Sequence, residues 1–185
     1  MDGLDVNSPY RLRAATLADI PQLQALIARS IRGLGLGDYT AEQIEGALQG
    51  AFGVDTQLIH DGSYYVVEAD TLAGCGGWSR RRTLFGGDAH AQRDAGELDP
   101  ATEAARIRAF FVDPGHARHG VGSLLLRHCE AEAARHGFRS ASLMATLPGV
   151  RLYAAHGYQA GARVLHPLGG NLSIEFVPMT KQLPR

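Results

Sequence analysis

Apolar residues along the chain recur first at strand spacing, then at helical spacing, and the order of the two patterns predicts the architecture. Tyr10-Arg11-Leu12-Arg13 alternates with the two-residue period of a strand. Thr16 then stands as an N-cap with Asp19 three residues on, a short version of a capping box. Ile20, Leu23, Leu26 and Ile27 follow at helical spacing, and the glycine run from Gly33 to Gly37 ends that helix. Thr40 opens a second helix, with Glu42, Gln43 and Ile44 in its first turn. Ser63 to Ala69, rich in Tyr and Val, and Leu72 to Ser79 predict a hairpin turning at Asp70-Thr71.

A polar stretch rich in Gly and Asp runs from Thr83 to Ala104, and a connection of that length inside a domain is as a rule functional or mobile. Arg106 to Val112 reads as a strand halted by Asp113-Pro114. Gly120 to His136 reads as a helix with Val121, Leu124, Leu125, His128 and Cys129 on one face and Gly137 as its C-cap. Ser140 to Thr146 is a strand, and Gly149 to His156 a short helix ended by Gly157. Tyr158 to Leu165 and Leu172 to Val177 close the chain as an antiparallel pair. The predicted order is β-α-α-β-β-β-α-β-α-β-β, an α/β fold. No repeat or linker divides it, so 185 residues give one domain over 10–181, between a flexible N-terminus at 1–9 and a tail at 182–185.

Composition narrows the partners. Hydrophobic residues are 45% and charged residues 20% of the chain, the balance of a globular protein. A net charge of −1 supplies no global field for nucleic acid or an anionic membrane. Two cysteines, Cys75 and Cys129, make no disulfide framework and read as small buried hydrophobes. No secretory pattern opens the chain and no apolar run of about 18 residues spans a bilayer, so the expected location is cytoplasmic. His116 and His119 form a lone pair without a third ligand at sensible spacing, so no metal is expected.

The chemistry concentrates in Phe110 to Ser123, where a strand ends at a proline and glycines open an amphipathic helix. The first amides of a helix lack intrahelical partners and carry the positive end of its dipole. Glycine lets a phosphate come close to such amides, and Arg118 and His119 add donors. Glycines at a helix start also serve packing alone. A dinucleotide fingerprint would need a third glycine where Leu125 stands. A P-loop would need Gly-Lys-Ser/Thr, which the chain lacks.

With these residues in view, the sequence resembles the GNAT superfamily of N-acetyltransferases. Val112-x-Pro114 followed by Arg118-x-Gly120-Val121-Gly122 resembles that family's coenzyme A pyrophosphate loop. The Leu-rich helix after it has the family's length. Leu152-Tyr153-Ala154-Ala155-His156-Gly157-Tyr158 resembles the family's later Tyr-containing element, and Phe176-Val177-Pro178-Met179 its closing strand. The likeness covers about residues 10–181. It implies a mixed, mostly antiparallel sheet of about six to seven strands flanked by helices, with two central parallel strands splayed apart. Two departures stand out. Ala117 occupies a position that often carries Gln or Arg, and Arg106 and Arg108 lie where many members carry a carboxylate base. The base is therefore undetermined, and deprotonation through water is one route.

The resemblance implies acetyl-CoA as cosubstrate and direct transfer to a primary amine. Phe110, Phe111, Val112 and Thr146 would line the pantetheine arm, and Arg118, His119, Gly120, Val121, Gly122 and Ser123 the diphosphate. Tyr153 matches the general acid that protonates the departing thiolate; a tyrosine that merely packs is the plainer reading. On the acceptor side, Trp78 and Arg80, with Arg81 and Arg82, form a basic-aromatic cluster that either binds an acidic group of the acceptor or is a solvated strand end. Tyr39 and Phe85 are candidate lid residues. The long loop favours a small-molecule acceptor over a protein N-terminus or lysine. A non-catalytic acetyl-CoA sensor is the reading of another class. Family members are often dimers, which leaves a homodimer open.

Overall fold

The computed structural model describes residues 8–90, 94 and 96–184; the expectations for 1–7, for 91–93 and 95 in the long loop, and for residue 185 lie outside them. In chain order the elements are β1 (Arg11–Ala14), a 3-10 turn at Leu17–Asp19, α1 (Ile20–Gly35), α2 (Ala41–Ala47), α3 (Thr56–His60), β2 (Tyr64–Glu68), β3 (Leu72–Ser79) and β4 (Ala105–Val112). There follow α4 (Val121–Arg135), β5 (Ser140–Thr146), α5 (Val150–Ala155), β6 (Gln159–Ala160), β7 (Val164–Gly169) and β8 (Leu172–Gln182). The strands join in one sheet of order β1-β2-β3-β4-β5-β8-β6, with β7 also paired to β8. All pairs are antiparallel except β4 with β5.

The first helix ends at Gly35, inside the expected glycine run, and Gly33 is where α1 packs on the loop after β4: a Cβ there would lie 2.4 Å from Pro114 Cγ. Two local readings change. The short helix α3 has too few residues to show a period, and its start is marked only by Asp55, whose carboxylate accepts from the Gln57 amide at 3.0 Å. The closing hairpin is β7 with β8 rather than a strand from Tyr158. It turns at Gly170-Asn171, and Gly169 and Gly170 take φ of 113° and 56°, costly for residues with a Cβ.

Both faces of the sheet are covered, so β3 is buried along its whole length. On one face α4 lays Val121, Leu125, Leu126, Cys129 and Ala133 against Ala73, Ile107, Ala141, Leu143 and Ala145. On the other, α1 contributes Leu23, Leu26, Ile27 and Ile31, α2 Ile44 and α3 Leu58, against Tyr64, Val66, Cys75, Phe111 and Phe176. Each fully buried side chain of this size contributes about 1.5–3 kcal/mol. The glycines of β3 set the distances. A Cβ at Gly74 would lie 2.6 Å from Val121, so its absence lets the start of α4 settle on the sheet. A Cβ at Gly76 would lie 2.7 Å from the Phe110 ring.

The feature that positions the site is the failure of β4 and β5 to stay together. They pair only at Ala105↔Ala141 and Arg106↔Ser142 and then diverge, as the resemblance implied. Opposite Gly76 the β3–β4 register shifts, leaving Ala109 and Phe110 to face one residue. Ala109 takes up the bulge with φ 54°, a conformation that costs a residue with a Cβ about 1–2 kcal/mol. Its carbonyl is held by the Tyr64 hydroxyl at 3.2 Å.

At the far edge of the sheet, Asp19 accepts from both outer nitrogens of Arg13 at 2.8 Å and from the Thr16 amide at 2.7 Å. The Arg13 guanidinium holds the Asp19 carboxyl down to about 2. A depressed pKa gives stability that is present above the unfolded value near 4 and lost as pH falls towards 2. Asp19→Asn is therefore expected to cost about 2 kcal/mol at pH 7 and almost nothing at pH 2. Urea titrations at the two pH values check it.

Candidate active site

The splay of β4 and β5 opens a passage through the sheet. Past Arg106 and Ser142, neither strand has the other as a ladder partner. The facing edges of β4 and β5 thus offer backbone donors and acceptors to a guest that lies between them as an added strand.

A cavity of about 530 Å³ occupies one side of this passage. Its walls come from β4 (Phe110, Phe111, Val112), the loop and first turn of α4 (His116, Ala117, Arg118, Gly120 to Ser123), Thr146, and α5 (Arg151, Leu152, Tyr153). The turn into α4 is built from positive-φ residues, Arg118 at 63° and Gly120 at 84°. Gly120 is the N-cap and has no side chain to satisfy the amides of Val121, Gly122 and Ser123. Those amides, the helix dipole and the exposed guanidinium of Arg118 converge on one rim of the cavity, the arrangement that holds a phosphate or diphosphate. Gly122 is pressed on Leu152, where a Cβ would sit 2.9 Å from Cδ2, so α4 and α5 meet at this rim. His156 reinforces the joint: its Nε2 lies 2.9 Å from the Ser123 hydroxyl, and burial lowers its pKa, so it is neutral at neutral pH.

A second cavity, about 60 Å³, lies on the other side of the passage. The two share Phe110, Phe111, Thr146 and Tyr153 as walls. Tyr153 therefore stands at the junction. Its ring meets Phe110 and Tyr158 edge-on at 6.2 and 5.9 Å. Desolvation pushes its phenol well above the usual value of 10. Phe52, Phe85, Met144 and Phe176 enclose the small cavity, with Arg108 among them. Arg108 replaces the expected carboxylate with a cation. It is 3% exposed, and its Nη2 donates to Asp55 at 3.0 Å and to the Gly86 carbonyl at 2.7 Å.

Most residues expected at the site converge there. Phe110, Phe111, Val112, Arg118, Gly120 to Ser123, Thr146 and Tyr153 line the large cavity, and Phe85 the small one. His119 is exposed outside the wall, its Nδ1 2.8 Å from the Ala117 carbonyl. Trp78 and Arg80 are not brought to the passage. β3 runs antiparallel to β4, so its last residues pair with Ile107 and Arg106, at the opposite end of β4 from the opening. Trp78 packs there on His136 and Phe138, and the basic run is answered by acids: Arg80 by Glu97, Arg81 by Asp61 and Arg82 by Glu103. Tyr39 is not a lid either. It is buried, donates to the Glu175 carbonyl at 2.7 Å, and accepts from the Leu147 amide at 2.9 Å, which fixes the chain just past Thr146. Sequence reasoning missed Ser30 and Leu34 of α1 and Arg151 of α5, all of which line the large cavity. Ser30 and Leu34 are one helical turn apart, and nothing in their type marks a ligand. Arg151 carries the better signal, a cation two residues before Tyr153.

Compared with curated proteins, the sequence has no significant match. Solved structures share the fold. A GCN5-related N-acetyltransferase structure from Rhodopseudomonas palustris superposes with a TM-score of 0.71 at 19% identity, covering 98% of this chain and 100% of that one. A putative acetyltransferase from Salmonella typhimurium, solved with its cofactor acetyl-CoA, gives 0.62 at 17% identity over 96% of each chain. The ribosomal-protein-S18-alanine N-acetyltransferase of Escherichia coli gives 0.59 at 13% identity over 95% of each. Residues 38–158 match the acetyltransferase (GNAT) family, and with the strand splay and helix-start turn inside that span, the chain belongs to this family of acetyl-CoA-dependent enzymes.

Proposed function

We propose that the protein transfers the acetyl group of acetyl-CoA to the primary amine of a small molecule by direct attack. The observation that carries this reading is the position of Tyr153, a wall of both cavities at the point where the splay joins them. The large cavity suits coenzyme A: free amides at Val121 to Ser123 for the diphosphate, and unpaired edges of β4 and β5 for an extended arm. The thioester supplied by the bound cosubstrate carries the activated acetyl group. In this arrangement the β4 edge at the bulge aligns amide donors for the developing negative charge. The Tyr153 phenol gives its proton to the sulfur. The amine arrives through the small cavity.

A small acceptor is favoured by the way the long loop folds back. The Gly87 amide donates to the Gly50 carbonyl and the Asp88 amide to the Val54 carbonyl, which brings Phe85 and Gly86 over the acceptor side. The space left is narrow for an extended peptide. Release of free thiol from acetyl-CoA, measured with a panel of small amines and a panel of peptides, tests this. Turnover with small amines at least tenfold more efficient is the expected result; preference for peptides would contradict it.

The diphosphate site makes its own prediction. Gly122→Val places a branched side chain on the rim next to Leu152 and blocks close approach to the amides. Coenzyme A affinity, measured by calorimetry, is expected to fall at least about tenfold, by roughly 1.4 kcal/mol.

A further inference from the structure

The small cavity has a lining that suits an uncharged guest. At about 60 Å³ it takes only about five non-hydrogen atoms, at roughly 10–15 Å³ each. Phe52, Phe85, Phe176 and Met144 make its apolar walls, and among the described residues only two ionisable side chains reach it, Arg108 and Tyr153. Neither takes a proton at neutral pH: guanidinium is a permanent cation, and burial keeps the phenol protonated. Asp55 balances Arg108 at 3.0 Å but lies behind it, outside the wall. Other titratable groups touch the walls from outside. Tyr64 is bonded to the Ala109 carbonyl, and His166 and His90 pack on Phe85 at 4.8 and 5.1 Å.

An ammonium group entering this space would lose its water. Desolvation favours the neutral amine by about a thousandfold or more at full burial. The Arg108 charge acts in the same direction. The phenyl faces act in the opposite one, but their attraction for a desolvated cation is worth roughly thirtyfold. Desolvation wins.

We propose that the cavity binds the acceptor as its uncharged free base, so that Arg108 and the phenyl walls stand in for a general base, and that the acceptor class is a slender, weakly basic primary amine. This rests on the acetyltransferase reading. The proton of the ammonium form goes to bulk water before binding. The nitrogen–carbon bond forms and the carbon–sulfur bond breaks. Tyr153 passes its proton to the sulfur, and the proton shed by the acylated nitrogen restores the phenol.

Two near-isosteric probes test this on the intact protein: n-propylamine, an ammonium at neutral pH, and 2,2,2-trifluoroethylamine, mostly free base there. Thiol release with saturating acetyl-CoA gives kcat/KM against total amine from pH 6 to 9. Propylamine is expected to gain about tenfold per pH unit without a plateau, and trifluoroethylamine to change less than about threefold above pH 7, because each tracks its own free base. Arg108→Met combined with Asp55→Asn, which leaves no lone buried charge, is expected to narrow the preference for trifluoroethylamine at pH 7 by about tenfold. The wild-type profiles decide the question if that double variant does not fold. An acid limb common to both amines would reveal an enzymic base such as His166 and overturn the proposal, as would a flat propylamine profile. Acetyl-CoA binding with no transfer to any amine would instead overturn the acetyltransferase reading itself.

Discussion

If Tyr153 is the general acid we propose, Tyr153→Phe is expected to lower kcat by about 10²- to 10³-fold and to leave coenzyme A affinity within about twofold. The ring is buried and braced by Phe110 and Tyr158, so a phenylalanine keeps the packing and removes only the hydroxyl. No side chain or carbonyl among the described residues is bonded to that hydroxyl, so its loss breaks no structural contact. Burial pushes the phenol above its usual value of 10, which keeps the acid form present to still higher pH. Tyr153 therefore contributes no falling limb to the rate profile below about pH 10. A phenol is a weaker acid than a thiol, so giving its proton to sulfur is uphill alone. It proceeds when the nitrogen refills the phenol in the same event. Steady-state kinetics beside calorimetry separates the two roles: an equal loss in affinity and turnover would mean that Tyr153 only packs.

Arg108→Met alone is expected to destabilise the fold by about 3–5 kcal/mol, because it takes the counter-charge from the buried Asp55 carboxylate. Both side chains of the pair are only 2% exposed. The Gly86 carbonyl also loses a donor at 2.7 Å, which loosens the loop beside the small cavity. For a domain of this size that loss would lower Tm by roughly 6–20 °C. Asp55→Asn added to it should restore part of the loss, since the stranded charge is then gone. Chemical denaturation of the single and double variants measures the coupling; a single-variant loss below about 1 kcal/mol would show that the pair carries little.

Much of the large cavity was legible from residue types at fixed spacing. A strand halted by Pro114, glycines at 120 and 122, and an amphipathic helix already define a set of free amides, whatever surrounds them. The helix faces of α1 and α4 were legible because one apolar stripe buries on each sheet face. The acceptor side was not, because its geometry is set by long-range pairing. Trp78 and the arginines after it look like a site until the antiparallel register carries them to the closed end of β4. Tyr39 looks like a lid until its hydroxyl is found between Glu175 and Leu147, more than a hundred residues away. Arg108 stands out only as a cation where a carboxylate base is expected; its partners were not legible, since only the folded chain brings Asp55 and Gly86 to it. Phe85 alone of the acceptor-side expectations reaches the cavity, in a loop whose fold depends on tertiary contacts with Gly50 and Val54.

We propose that coenzyme A lies between β4 and β5 with its diphosphate on the start of α4. Amide nitrogen–proton NMR spectra of the labelled protein, recorded as coenzyme A is added, address it residue by residue. The largest shifts are expected at Arg118 to Ser123, with a second group at Phe110 to Val112. Shifts confined to other parts of the chain, or none at saturating ligand, would contradict it.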